Sequence, residues 1–320
     1  MATVESVTGP LDADQLGVTL IHEHLCFRDE ANAIQWPHLY DEQGQHDAAV
    51  VAAAGALEVG VRTVVEPTAM YGGRDVRLME RVARETDLQL VACTGIYTYD
   101  FLPHYWLSRD ADAMADAFVH DIESGIQRTP IKAAFLKCAA DAPGVTENVE
   151  KVHRACARAS LRTGAPIMAH SHPAERTGLR QMEIFAEEGV DPAKVQLAHT
   201  GDSDDLDYIG AVLDTGAWIG MDRYGIEMYL PTDRRNATVL ALLERGYADR
   251  MFISADSCAT IDWFPPEAEE QLLAHGAVDP DWSPRLIHDK VLPALRAGGM
   301  TAEQERTMLV ENPRRWLAGQ

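Results

Sequence analysis

The chain has no Cys-X-X-Cys pair, and its five cysteines, Cys26, Cys93, Cys138, Cys156 and Cys258, are odd in number and scattered. A disulfide framework and a structural zinc ribbon are thereby excluded, and reduced thiols of a cytoplasmic protein are expected. Positive charge is scarce: 28 Lys and Arg stand against 50 Asp and Glu, a formal net charge of -22. Such a surface repels phosphate backbones and anionic lipid, so neither nucleic acid nor membrane is expected as a partner, and the acidity is read as solubility. No apolar run reaches membrane length, and the opening MATVESVTGP carries neither a basic n-region nor an apolar h-region. These absences predict a cytoplasmic location. A glycine-rich dinucleotide loop, a G-x-S-x-G elbow, low-complexity tracts and linkers are also missing.

What is present is a repeated alternation of short β-branched runs and amphipathic stretches. Strands are expected at 17–24, 61–67, 88–95, 131–137, 165–170, 195–199, 217–222 and 250–256. Between and after them, helices are expected at 47–58 with Asp47 as cap, then 74–86, 110–124, 146–162, 175–188, 204–214, 234–245 and 285–296. Eight β/α units predict the α/β class and a (β/α)8 TIM barrel, one domain over residues 1–320. A long connection at about 257–283 holds Trp263, Phe264, Pro265, Pro266 and Trp282, and its length and aromatics suggest a substrate loop.

The stretch GVTLIHEH at 17–24 ends in two histidines spaced i, i+2, on one face of the expected strand. His22 and His24 close strand one, Lys137 strand four, His170 strand five, His199 strand six and Asp256 strand eight. In a barrel these ends converge on the mouth where active sites sit. Imidazole and carboxylate without thiolate suit zinc, iron, manganese or cobalt, and six ligands exceed what one open tetrahedral ion accepts. Two divalent transition-metal ions are therefore expected. Lys137 does not fit as an ammonium; burial lowers a lysine's pKa, and a neutral amine could either coordinate or be carboxylated by CO2.

At this point the chain resembles the phosphotriesterase family of the amidohydrolase superfamily, and most of all its phosphotriesterase-like lactonases. The motifs are HEH at 22–24, LK at 136–137, AHSH at 169–172, AHTGD at 198–202, GMDR at 220–223 and SADS at 254–257. The resemblance implies that His22, His24 and Asp256 hold the more buried metal, that His170 and His199 hold the more exposed one, and that carbamylated Lys137 and a hydroxide bridge them. It also implies a small-molecule substrate and a homodimer. In such a pair one ion polarises the substrate oxygen while the shared hydroxide attacks. Asp256 would receive or guide the proton, and Asp202 would pass it outward or, alternatively, serve as a helix N-cap or loop carboxylate. Tyr97 and Arg223 occupy positions that border the substrate in the resembling lactonases, where organophosphate specialists carry tryptophan and histidine. Ile261-Asp262-Trp263 matches the lactonase pattern, with Trp263 read as lining an acyl channel or as a loop anchor.

His172 precedes Pro173, which ends the strand, so it is placed outside the ligand set; the remaining histidines are read as ordinary. The expected activity is lactone hydrolysis with weaker phosphotriesterase and esterase action. The alternatives are a true phosphotriesterase, a carboxylesterase of the same superfamily, and a noncatalytic barrel stabilised by its metals.

Overall fold

A computed structural model describes residues 2–319. Its strands are β1 (Thr3–Ser6), β2 (Gly9–Asp12), β3 (Thr19–Leu20), β4 (Thr63–Glu66), β5 (Gln89–Gly95), β6 (Phe135–Ala139), β7 (Ile167–His170), β8 (Val195–Ala198), β9 (Trp218–Met221) and β10 (Met251–Ile253). β1 and β2 form an antiparallel hairpin, while β3 to β10 pair in sequence order, all parallel. Helices surround this sheet, as the alternating units predict. No helix among the described residues is long and apolar enough to cross a membrane.

The period of two decides what fills the barrel. Ile21, Val65, Val91, Cys93, Phe135, Met168, Ala198, Trp218 and Phe252 form one buried cluster inside it. Their neighbours along the strands, such as Leu20, Val64, Leu90, Leu136, Ile167, Leu197 and Ile219, join a second cluster with the helix faces. β-strands buried on both sides read as continuous apolar runs, which is why the strands were visible in the sequence. The barrel floor is closed by the hairpin side (Val4, Ala13, Leu16) and by Trp316 of the C-terminal helix, whose indole meets Phe135 and Phe252 at 5.7 and 6.0 Å.

Between β10 and β3 no strand ladder forms; the ring is closed higher up, past the strand ends, by the isolated parallel bridges His24–Cys258 and Phe27–Ile261. There Asp256 N–H donates to His22 O at 3.0 Å, His24 N–H to Ser257 O at 2.7 Å, and Ala259 N–H to His24 O at 3.0 Å. The two segments that carry His22, His24 and Asp256 are thus the seam of the barrel.

Several expected boundaries move. The first strand stops at Leu20 and the eighth at Ile253, so His22, His24 and Asp256 lie beyond regular strand, and Lys137 sits inside β6 rather than at its end. The first long helix begins at Glu42, capped by Asp41 and not by Asp47. The 257–283 connection contains a helix, Pro266–Ala274, and the last predicted helix starts with a wide turn at Ile287–Val291 before Leu292–Ala297. The N-terminal hairpin, the short helices Glu30–Gln35 and His104–Leu107, and the C-terminal helical segments from Ala302 to Ala318 were not anticipated.

Candidate active site

At the barrel mouth the seam brings its polar side chains together. Asp256 Oδ1 lies 3.2 Å from His22 Nε2 and 3.1 Å from His24 Nε2. His170 and His199 enter from β7 and the turn after β8, with ring centroids 4.5 Å apart, and His199 is 4.9 Å from His22. Ligand atoms of His22, His199 and Asp256 all fall within 4.8 Å of one another. Lys137 Nζ reaches in from β6 to 3.3 Å from His22 Nε2. All six predicted ligands therefore meet in one place. His199 and Asp256 both have left-handed backbone, φ 65 and 52°. Such conformations cost non-glycine residues about 1 kcal/mol and persist where surroundings enforce them, often at functional sites.

Each imidazole is oriented by a carboxylate, directly or through a hydroxyl: buried Asp222 for His22 and His199, buried Glu66 through Thr68 for His24, and half-buried Asp141 for His170. Asp222, fully buried after β9, lies 3.0 Å from His22 Nδ1 and 3.1 Å from His199 Nδ1, and also accepts the His199 backbone N–H at 2.7 Å. Both rings consequently turn Nε2 toward the centre. His24 Nδ1 is 2.6 Å from the Thr68 hydroxyl, which donates to Glu66. His170 Nε2 pairs with Asp141 at 2.7 Å, leaving Nδ1 toward the mouth, 3.3 Å from the Tyr97 hydroxyl. Carboxylate partners of this kind fix tautomer and ring angle in metal sites. Asp222 had a readable signal, an acid at the end of a buried strand beside the noted Arg223. Asp141 had none, since it lies on a turn with no local pattern.

The electrostatics suit cation ligands. Burial, reinforced by the nearby Lys137, lowers His22 to about 4. Burial likewise lowers His170 to about 4 against the pull of Asp141, and holds His199 far below its usual range. These imidazoles are neutral at pH 7, the form a metal binds. For His24 burial is outweighed by Asp256 and Glu66, which raise it to about 9. Asp256 stays ionised because the surrounding histidines and Arg223 overcome its burial. Burial pushes Lys137 down, and its hydrogen-bond contacts are the His22 nitrogen and Met168 Sδ at 3.3 Å, neither of them an anion. Three neutral imidazoles, a carboxylate and a buried amine make a donor set that fits divalent transition metals, and the proton that His24 holds at pH 7 between Asp256 and Glu66 would leave when a metal binds.

Arg223 donates from Nε to Asp256 Oδ2 at 2.8 Å and from Nη1 to Asp202 Oδ2 at 3.1 Å, with its guanidinium over the Tyr229 ring. Asp202 is also held by the buried Arg235 at 2.9 Å. A guanidinium that keeps its protons thus stands between Asp256 and Asp202, so no direct hand-off from one carboxylate to the other is set up. The helix N-cap role falls to Asp205. Tyr97 is half-buried, bonds the Tyr99 hydroxyl at 2.7 Å, and remains a neutral phenol because desolvation pushes it up. Trp263 packs edge-on to Phe27 at 4.6 Å and lies 5.8 Å from Tyr97. A cavity of about 280 Å3 opens from the histidines, walled by Ile226, Met228, Ile261, Trp263, Phe264 and Leu272. His172 does not line it, in keeping with its placement outside the ligand set. His153 proves fully buried, between the Val149 carbonyl and Gln181, whose amide also donates to the His170 carbonyl.

The family model described as the phosphotriesterase family matches residues 2–317. The chain belongs to the phosphotriesterase family. It is 46% identical over 310 residues, 96% of this chain and 97% of the other, to a Saccharolobus solfataricus protein named aryldialkylphosphatase. It is 42% identical over 323 residues, 98% of this chain and 97% of the other, to the phosphotriesterase homology protein of Mycobacterium tuberculosis. A solved structure of the phosphotriesterase from Mycobacterium tuberculosis superposes with a TM-score of 0.93 at 41% identity, covering 98% of both chains. The TIM barrel and the hydrolase class of this phosphotriesterase-family chain follow.

Proposed function

We propose that this phosphotriesterase-family hydrolase opens lactones, with weaker action on phosphotriesters and aryl esters. The reading includes two divalent transition-metal ions, one held by His22, His24 and Asp256 and one by His170 and His199, with Lys137 as a carbamate between them. It is supported by the donor set and by the general dependence of the family on a binuclear metal centre. When bound, the ions would supply Lewis-acid polarisation of the carbonyl and an acidified water. The chain's own residues do the rest. Asp256 offers Oδ1 to the reacting space while Arg223 fixes its other oxygen. Arg223 is also placed to steady an opening alkoxide, and the Tyr97 phenol borders the carbonyl side.

The observation that carries the substrate class is the apolar wall above this polar floor. Ile226, Ile261, Phe264 and Leu272 form a slot suited to an acyl tail, whereas a phosphotriester needs three separate roomy pockets, at least one of which Tyr97 and Arg223 crowd. The kcat/KM for a medium- or long-chain γ- or δ-lactone is expected to exceed that for paraoxon by at least ~10²-fold, about 2.7 kcal/mol of differential transition-state binding. Trp263→Ala should erode that advantage. Preference for paraoxon in the unmutated enzyme would install the second reading, a true phosphotriesterase, which the name of the 46% identical relative, aryldialkylphosphatase, favours.

The proposal extends to a cytoplasmic homodimer. The dimer is supported by exposed apolar side chains, Ile34, Trp36 and Leu39 on one segment and Phe101, Tyr105 and Leu107 on another, the two segments meeting where Asn32, Tyr40 and Phe101 line one surface hollow. Light scattering checks the assembly.

A further inference from the structure

Glu23, between the two histidines of the HEH motif, points away from the cavity and into the seam, where it is 1% exposed. One of its carboxylate oxygens accepts from the Ser254 hydroxyl and the Ala255 backbone N–H, both at 2.8 Å. The other accepts the Ser257 backbone N–H at 2.8 Å and the Ser257 hydroxyl. All four donors flank Asp256, the residue with φ 52° whose Oδ1 faces His22 and His24. The Ser254 hydroxyl in turn accepts the His22 backbone N–H at 3.1 Å, which ties the carboxylate back to its own strand.

We infer that Glu23 is a positioning residue: its carboxylate grips the backbone on both sides of Asp256, holds that residue in the left-handed conformation, and so sets its carboxylate against both histidines across the seam. Three facts converge on this. The seam has only the isolated parallel bridges His24–Cys258 and Phe27–Ile261, with no continuous strand ladder through Asp256 to impose the geometry. The left-handed conformation is a minority one even for aspartate, which adopts it more readily than most residues, so the surroundings must select it. A grip on four donors, two at each carboxyl oxygen, supplies that enforcement without occupying any ligand position. The inference rests on the metal-centre reading only for its effect on metal.

Glu23→Gln keeps the size but turns an NH2 toward donors. In the metal-free variant, hydrogen exchange measured by mass spectrometry should quicken about tenfold at the amides of Ala255 and Ser257. In the metal-loaded variant, zinc should pass to a chelator at least about tenfold faster than from the unmutated protein. With a lactone, kcat should fall while KM holds. Ser257→Ala, which removes one donor of the four, should move exchange and zinc release the same way by less, and it decides the matter if Glu23→Gln does not fold. Val239→Ala, in the outer helix Thr232–Glu244, gives a comparison for plain destabilisation. If the seam variants lower the melting temperature as Val239→Ala does, with exchange and release unchanged, the positioning role is overturned. If the unmutated chain takes up no metal, the metal reading falls, and the exchange experiment alone still tells whether Glu23 holds Asp256.

Discussion

Lys137 is an amine sealed in the barrel beside an imidazole nitrogen and a thioether, and that setting leaves it two chemical options. A neutral amine can bind a metal, directly or after taking up CO2 as a carbamate, or it can remain an inert neutral barrel residue. The first predicts that Lys137→Ala loses metal and hydrolysis, and that a short carboxylic acid supplied with metal restores part of both. Unchanged metal content and turnover in the mutant would establish the second. The geometry around it is tightly set: Gly95 pairs with Lys137 at φ 137°, and a Cβ there would fall 1.9 Å from the Lys137 carbonyl oxygen. At this scale the sequence was informative where a polar residue interrupts an apolar run, as at His22, Lys137, His170 and Asp256. It was silent on Asp141, and on the Thr68–Glu66 pair behind His24, because an acid or threonine next to a turn looks the same whether it solvates a loop or orients a ligand.

Among the elements, the helices Glu147–Thr163 and Thr177–Glu188 are joined at the surface by Arg154 and Arg158, both bonded to Glu188 at 3.0 Å. The guanidinium of Arg158, with that of Arg154, lowers the Glu188 carboxyl below its usual range. A carboxylate lowered in the folded state stabilises above its unfolded pKa of about 4.3 and loses that contribution as pH falls through the lowered value. Solvent screening limits the effect to at most about 1 kcal/mol. Glu188→Gln should thus melt slightly below the unmutated protein at pH 7, and the gap should shrink below about pH 4; a gap that persists or widens in acid would show that the pairing is not its source. Element ends were the least legible feature. Apolar runs continue past hydrogen-bonded ladder, so the strands through His24 and Asp256 were read too long, and a helix inside 257–283 was hidden behind consecutive prolines that read as loop. Pro266 instead stands at the start of that helix, a position where its missing N–H is harmless.

For the whole molecule, the barrel has a floor of packed aromatics and a mouth of ionisable groups, and the two can be perturbed separately. Trp316 is 2% exposed and closes the floor from the C-terminal helix. Trp316→Ala should cost about 3–5 kcal/mol of unfolding free energy in denaturant melts, with KM for any substrate unchanged at temperatures where the variant is folded. A shift in KM without loss of stability would contradict this division. At the mouth, purified protein is expected to carry close to two transition-metal ions per chain and to lose hydrolysis on chelation. Elemental analysis that finds one ion or none at full activity would sink the binuclear reading. The eight-unit rhythm made the barrel legible, because a sheet buried on both faces must be apolar throughout; the hairpin and C-terminal helices that stopper it were not, since they follow no such rhythm.

The seam also has a consequence for how the chain is made. His22 and His24 belong to the first barrel strand and Asp256 to the last, so a ribosome emits the two histidines more than two hundred residues before the carboxylate that meets them. At synthesis rates of roughly 5–20 residues per second that interval lasts on the order of 10–50 s. Throughout it, the backbone at His22 and His24 lacks the partner that Asp256, Ser257 and Ala259 later provide, and that edge stays unpaired. The nascent protein is an open sheet with a bare rim, exposed to pairing with other chains. The site assembles in the same event that ends this exposure, so the arrival of residues 254–257 both removes the sticky edge and completes the catalytic mouth.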